Sequence, residues 1–386
     1  MKEKRRENFF YINRRDFIKT TGVMGGAAML GINPFQALIA EAAVEPMDSA
    51  TLAEQDKFYA AAKKEGQVTL YQSSATQAGS SLAKAFMKKY PGVKCGVFRA
   101  GSVKCHTRLD TEYRAKKRVC DVFHTSLYGR FLTMRDQGRF MTYASPQAKY
   151  FREDWTDPQH FAPVRFTTMA IAWNTDIVKD EEAPKTWVQA AEIAKQKKWF
   201  GKIACGDPHG SANALTWLYS LTEKWGDTAW EWWRLWGEAD AGIFTSHGAM
   251  DKEMMAGKYP LTVEQLDYRL NKAMAKKLPV KAHFPKEGVA VGPGAAAIIK
   301  EAPHPNAAKL LYNYFLSSEG CQAFQKGGYS NTGRKTGGMK WKYLPSYDEL
   351  NIIKIDYAQM EKDRTALLEK FEKVFGEAKK RARAKG

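Results

Sequence analysis

Residues 66–93 read GQVTLYQSSATQAGSSLAKAFMKKYPGV. Val68-Thr69-Leu70-Tyr71 has the character of a short buried strand. Gln72 to Ser81 is small, polar and rich in hydroxyls, with Gly79 inside it. Leu82, Phe86 and Met87 then recur at helical spacing, and Lys88-Lys89 followed by Tyr90-Pro91-Gly92 ends the helix. Strand, hydroxyl-bearing loop and helix make one βα unit of an open α/β fold. Such folds bind ligands beyond the carboxyl ends of their strands, where helix N-termini offer free N–H groups to anions.

Working outward, Thr51–Lys64 forms a first helix. Lys94–Arg99 is a second strand, and Ala100-Gly101-Ser102 turns into a helix reaching Tyr113. Val119–Phe123 is a third strand, ending in His124-Thr125-Ser126. This β-α-β-α-β-α order predicts a parallel sheet. Arg165–Trp173 is a strand leading away from that unit. Lys202–Cys205 is a short strand running into the polar turn Gly206-Asp207-Pro208-His209-Gly210-Ser211. Leu261–Glu264 is another strand, with Asp267 and Tyr268 just past its end. Trp230, Trp232, Trp233 and Trp236 form an aromatic stripe suited to core packing. Tyr357–Ala384 reads as one long amphipathic helix with Leu367, Leu368, Phe371, Val374 and Phe375 inward. No low-complexity linker separates the halves. The chain crosses near Thr167–Met169 and returns near Phe284–Val289, which reads as a hinge of two strands.

The length, 386 residues, is enough for two lobes with sizeable cores. Within residues 1–42, Asn13-Arg14-Arg15-Asp16-Phe17-Ile18-Lys19 resembles the twin-arginine export motif. A mildly apolar stretch, Thr20–Ile39, and a small-residue cleavage site at Ala40-Glu41-Ala42 follow it. The expectation is a protein exported in folded form to the periplasm through the twin-arginine translocase. The net charge is +18; the leader holds seven Lys/Arg and four Asp/Glu, leaving +15 beyond it. That charge is scattered, and neither zinc-finger spacing nor an aromatic-basic RNA motif accompanies it, so nucleic acid is not an expected partner. Five cysteines, Cys95, Cys105, Cys120, Cys205 and Cys321, contain no C-x-x-C pair. Thioredoxin chemistry, c-type haem and most iron–sulfur clusters are thereby disfavoured. The cysteines read as core residues, with one disulfide left open as an alternative.

A family resemblance rests on several pieces in order. They are Ala62-Lys63-Lys64-Glu65-Gly66, Lys89-Tyr90-Pro91-Gly92-Val93, Arg99-Ala100-Gly101-Ser102 and Cys120-Asp121-Val122-Phe123. Trp173-Asn174-Thr175, Gly201-Lys202-Ile203-Ala204 with Asp207-Pro208, Ala302–Lys309 and Leu316-Ser317-Ser318-Glu319-Gly320 follow. Over roughly residues 55 to 340 the chain resembles the type 2 periplasmic solute-binding proteins of ABC importers, in the group for ferric iron, phosphonates and sugar phosphates. The resemblance implies an α/β fold of two lobes, 43–166 plus 287–386 and 167–286, joined by two hinge crossings after a twin-arginine signal peptide at 1–42. It also implies a monomer that traps a small solute between its lobes and docks on an ABC permease driven by an ATPase. No catalysis and no cofactor belong to that scheme.

Ferric-iron members of the family use adjacent tyrosines after a lobe-two strand; here that pair reads Asp267-Tyr268, and Ala75-Thr76 stand where a His-Tyr of some iron binders falls. Asp267 and Tyr268 are therefore the metal candidates if the cargo is ferric iron. The loops otherwise offer Ser73, Ser74, Thr76, Ser102, Thr125, Ser126 and Ser211, with His209 as a proton-dependent contact. Hydroxyls and backbone N–H groups of this kind suit phosphate, phosphonate or carboxylate. A small organic anion is the favoured solute, with ferric iron the alternative. Presentation of the solute to a sensor kinase and a redox enzyme built around His106 beside Cys105 are further alternatives. The second lacks any flavin or dinucleotide fingerprint.

Overall fold

The computed structural model describes residues 39–41 and 43–385. The leader read at 1–42 lies outside the described residues, apart from Ile39–Glu41 (β1), whose backbone pairs antiparallel with Lys340–Trp341 (β11). The remaining strands are β2 (Gln67–Gln72), β3 (Lys94–Arg99), β4 (Val122–Thr125), β5 (Phe161–Asn174), β6 (Ile203–Gly206), β7 (Gly242–Phe244), β8 (Leu261–Leu266), β9 (Val280–His283) and β10 (Val291–Ile298). Helices α1 (Ser49–Glu65), α2 (Thr76–Lys89), α3 (Ser102–Arg114) and α4 (Tyr128–Asp136) flank the first strands. Helices α5 (Trp187–Glu192), α6 (Ala212–Trp225), α7 (Asp227–Glu238), α8 (His247–Met255) and α9 (Asp267–Ala275) belong to the second half. Helices α10 (Pro305–Leu316), α11 (Ser318–Gly328), α12 (Tyr357–Phe371) and α13 (Glu377–Lys385) complete the chain.

The sheet runs β3-β2-β4-β10-β5-β8-β6-β7, with β9 added to β5. Two parallel sets, β3-β2-β4 and β8-β6-β7, are joined through antiparallel β10 and β5. The key element is β5, fourteen residues long and buried throughout. Its first half pairs with β10 as far as Thr168, and its second half pairs with β8 from Met169 onward. One strand thus changes partners between Thr168 and Met169.

The opening βα unit follows from its residues. Val68, Leu70 and Tyr71 are buried in β2. Helix α1 is capped by Asp48, whose carboxylate accepts from Thr51 N–H at 2.8 Å, and closes on Gly66 in the left-handed region at φ 74°. Gly79 brings α2 onto the sheet: a Cβ there would lie 2.9 Å from Val97 Cγ1. All five cysteines are free thiols, four of them buried, so the disulfide alternative is not realised.

The tryptophan stripe packs as core. Trp217, Trp233 and Trp236 meet at ring-centroid distances of 4.9, 5.4 and 5.1 Å, and Phe371 adds an edge contact to Trp233 at 5.1 Å. The long helix expected over 357–384 is interrupted by one π-helical stretch, Glu372–Gly376. Its start lies on α4, where Gly129 approaches the Tyr357 carbonyl. Beyond Phe371 it lies on α7, where Gly237 approaches the Phe375 carbonyl. The tail assigned by sequence to the 43–166 half therefore contacts both halves.

A Cβ on Gly237 would sit 2.6 Å from Phe375 O. Gly237→Val is expected to lower stability by about 1–3 kcal/mol, as overpacking of a closed contact does. Urea denaturation followed by tryptophan fluorescence measures this; an unchanged midpoint would contradict the seating of the C-terminal helix on α7.

Candidate functional site

The strand directions select one place on the molecule. The carboxyl end of β4 meets β10 at Ala295, and β10 in turn sets Gly294 opposite Arg165. The carboxyl end of β8 meets β5 at Met169. The two sets of strand ends thus converge on Arg165–Thr168, the middle of β5.

Arg165 is buried, 3 % exposed. Its Nη1 donates to Thr167 Oγ1 at 2.9 Å, its Nη2 donates to Ser126 Oγ, and its Nε has no partner. No carboxylate pairs with it among the described residues. The ring of Tyr268 lies 5.6 Å from its guanidinium carbon. Burial pulls the guanidinium pKa down, and Tyr268 and Asp267 pull it back up. Gly294 makes the space, since a Cβ there would lie 2.8 Å from Arg165 Cγ and 3.0 Å from His124 Nε2. His124 is fully buried with both ring nitrogens unpartnered; burial and the Arg165 charge hold it neutral.

Other polar groups close around this guanidinium. Ser73 Oγ accepts from Ser126 N–H at 3.2 Å, tying the β2 loop to the β4 loop. From the other half, Asp267 opens α9 fully buried; it accepts from Tyr268 N–H at 2.6 Å and from Asn331 Nδ2 at 3.2 Å. Burial raises the Asp267 carboxyl to about 6, against hydrogen bonds from Tyr268 and Thr168 and the charge of Arg165. Asn213, in the first turn of α6, brings an unpartnered Oδ1 to Gly292, the β10 residue opposite Thr167.

Of the residues expected from sequence, Ser73, Ser126, Asp267 and Tyr268 are brought to this group. Thr125 is buried beside it, and its hydroxyl accepts from Leu127 N–H. Ser74 is buried, with its N–H on Gln72 and its carbonyl on Arg99. Thr76 is the exposed first residue of α2 and Ser102 the half-buried first residue of α3. Neither side chain joins the Arg165 network among the described residues. Ser211 caps α6, accepting from Ala214 N–H at 3.2 Å. His209 departs from expectation: it is exposed, and its Nε2 lies 3.0 Å from Glu372 on the C-terminal helix. The turn Asp207–Ser211 directs it there, with Asp207 accepting from His209 N–H.

Arg165, Thr167, Asn213 and Asn331 went unread in the sequence. The available signal was Arg165 itself, a single charge inside the apolar run FAPVRFTTMAIAWN. Asn331 comes from the Gly-rich segment after α11, which reaches β5 through an isolated bridge to Phe166 and through Thr332, whose hydroxyl donates to Val164 O at 3.1 Å.

Several known proteins resemble this chain. The bacterial extracellular solute-binding protein family matches residues 119–360, and the twin-arginine translocation pathway signal sequence matches residues 12–31. An uncharacterized protein of Haemophilus influenzae is 24 % identical over 281 residues, 70 % of this chain and 78 % of that protein. Iron-bound HitA from Pseudomonas aeruginosa aligns at a TM-score of 0.68 and 19 % identity, over 79 % of this chain and 99 % of its own. AfuA from Actinobacillus pleuropneumoniae, a periplasmic binding protein with fructose-6-phosphate bound, aligns at 0.70 and 22 %, over 81 % and 99 %. The substrate binding protein of an ABC transporter from Agrobacterium tumefaciens aligns at 0.71 and 14 %, over 80 % and 94 %. At these identities the structures share a fold.

A carboxyl raised from 3.8 to about 6 favours its protonated form in the folded protein. That contribution is complete below the unfolded pKa and is lost as pH rises through about 6. Wild-type protein without solute is therefore expected to lose more stability than Asp267→Asn between about pH 4 and about pH 6. Urea midpoints measured across this range check it; parallel curves would contradict the buried state of Asp267.

Proposed function

Because the chain belongs to the bacterial extracellular solute-binding protein family and carries a twin-arginine signal sequence, we propose that its solute is a small organic anion, a phosphate, phosphonate or carboxylate, anchored on Arg165. Periplasmic solute binding for an ABC importer is the family's role. The observation that carries the choice of solute is a buried guanidinium bonded only to hydroxyls and lying between two sets of strand ends. A buried charge without a counter-ion is unfavourable, and an arriving oxyanion supplies one.

The rest of the site suits the rest of such a solute. Ser126, Thr167 and Ser73 ring the anion position with hydroxyls. Asp267 and the Asn213 amide oxygen are acceptors from the other half, placed for a hydroxyl or amine on the same molecule. A solute touching both halves favours the closed arrangement, since it makes both sets of contacts only there. In this reading the lobes are 43–166 with 287–386 and 167–286, moving about β5 near Thr168, and the protein acts as a monomer. The α12–α13 helix lies across both lobes and ties them. Fructose-6-phosphate in AfuA is a solute of the proposed class in a protein of the same fold.

Ferric iron is the second reading, prompted by Asp267-Tyr268 and by iron-bound HitA. Three features count against it. The Arg165 charge stands 5.6 Å from the Tyr268 ring. Asn331 already engages the Asp267 carboxylate. No group of three or more His, Cys, Asp or Glu side chains suited to a metal occurs among the described residues.

The test is a calorimetric panel of sugar phosphates, phosphonates, dicarboxylates and ferric citrate on wild type and Arg165→Met. At least one organic anion is expected to bind, and Arg165→Met to weaken it by about 1.5–3 kcal/mol, about tenfold to about 150-fold in Kd. Equal affinity for both proteins, or binding of ferric citrate alone, would overturn the proposal.

A further inference from the structure

A concentration of arginine lies outside the β5 site and shares no lining residue with it. A cavity of about 570 Å³ opens between α3, α4 and the chain just after α4. An adjoining hollow of about 390 Å³ extends it to Glu361 and Lys362 on α12. The first volume falls within the range of small-molecule pockets.

The charges are arranged rather than scattered. Arg130 Nη2 and Arg139 Nη1 each donate to a different oxygen of Asp110, both at 2.6 Å. One carboxylate thus orients two guanidiniums and neutralises one. Burial works to raise the Asp110 carboxyl, but the two arginines hold it below its ordinary value, so it stays ionised as their orienting group. Arg139 is nine-tenths buried, has an unpartnered Nε, and lies 4.5 Å from the ring centre of Tyr113. Arg114 lines the larger cavity and Lys362 the adjoining hollow, each without a carboxylate partner among the described residues. The other acid is Glu361, whose carboxyl burial raises and whose nearest cation is Arg364 at 3.7 Å. Behind Arg130 and Arg139, His106 is fully buried with neither ring nitrogen partnered, and burial with the arginine charges keeps it neutral. Four cations therefore face two acids, one of them already shared.

We propose that this cavity is a second oxyanion site, for a small multivalent anion of the phosphate or polycarboxylate class. Planar guanidiniums fixed by a common carboxylate present parallel N–H donors, the arrangement that recognises phosphate and carboxylate oxygens. Arg114 on α3 and Lys362 on α12, one in each hollow, supply charge to a ligand bearing more than one negative group. The site is independent of the solute reading, because its residues lie on α3, α4, the chain just after α4, and α12, and not at the strand ends.

The test is isothermal titration of the full mature protein with inorganic phosphate and, separately, citrate at low ionic strength. Arg165→Met, which lacks the β5 anchor, is expected to retain one equivalent of at least one of these anions. Adding Arg114→Ser and Lys362→Ser is expected to weaken that event at least about tenfold, and sodium chloride at matched ionic strength is expected not to reproduce it. In an otherwise wild-type background the same double substitution removes this event and leaves any β5 binding intact, which keeps the test decisive if Arg165→Met folds poorly. Phosphate and citrate both silent on folded Arg165→Met, or affinities unmoved by the double substitution, would overturn the second site while leaving the β5 reading standing. Binding lost only with Arg114 and Lys362 and never with Arg165 would do the reverse.

Discussion

The structure depends on one buried guanidinium to which no carboxylate is bonded among the described residues. Arg165 sits in the middle of a strand that is buried along all fourteen residues, and among the described residues its head group has hydroxyls for partners. Burial of a guanidinium is among the more unfavourable things a fold can do. Here its surroundings mitigate that without removing it: Gly294 gives it room, His124 stays neutral beside it, and Ser126 and Thr167 take two of its donors. The guanidinium lies where the two sets of strand ends meet.

The rest of the fold brings that place into being. Because β5 pairs with β10 before Thr168 and with β8 after it, both half-sheets point their carboxyl ends at the same four residues. Loops from β2 and β4 then arrive from one side, and the starts of α6 and α9 from the other. The C-terminal helix adds a third connection, entering on α4 and leaving on α7 through a stacked pair, Phe371 and Phe375, against Trp233. Tryptophans on α6 and α7 thus serve the core and the anchorage of that helix together.

Much of this was legible in the residues. The alternation of strand and helix up to Ser126, the polar loop of the first βα unit and the tryptophan core all follow from periodicity and turn chemistry. So do Asp267 and Tyr268, which stand just past a strand end. The crossing read near Thr167–Met169 falls where β5 changes partners. What was not legible is tertiary. Periodicity marks β5 as a strand without telling that Arg165 lies inside it rather than at its start. Asn331 is some sixty residues from Asp267 in sequence, and it is the packing of its segment against β5, by the bridge to Phe166 and the Thr332 hydroxyl on Val164 O, that brings the two together. His209 has the right position in its turn for a ligand contact, yet Glu372, from the far end of the chain, takes it. Local pattern marks the strand-end loops but not which of their side chains join the group around Arg165: Ser73 and Ser126 do, whereas Thr76, Ser102 and His209 do not.

The central claim is that an anion from the solute completes the coordination of Arg165. A crystal structure of the mature protein with the tightest-binding organic anion of the panel tests it most directly. The account predicts a phosphate, phosphonate or carboxylate oxygen within hydrogen-bonding distance of the Arg165 guanidinium and Ser126 Oγ, with Asp267 facing a hydroxyl or amine of the same molecule. A solute bound elsewhere with Arg165 still bonded only to hydroxyls, or a metal ion held by Asp267 and Tyr268, would contradict it.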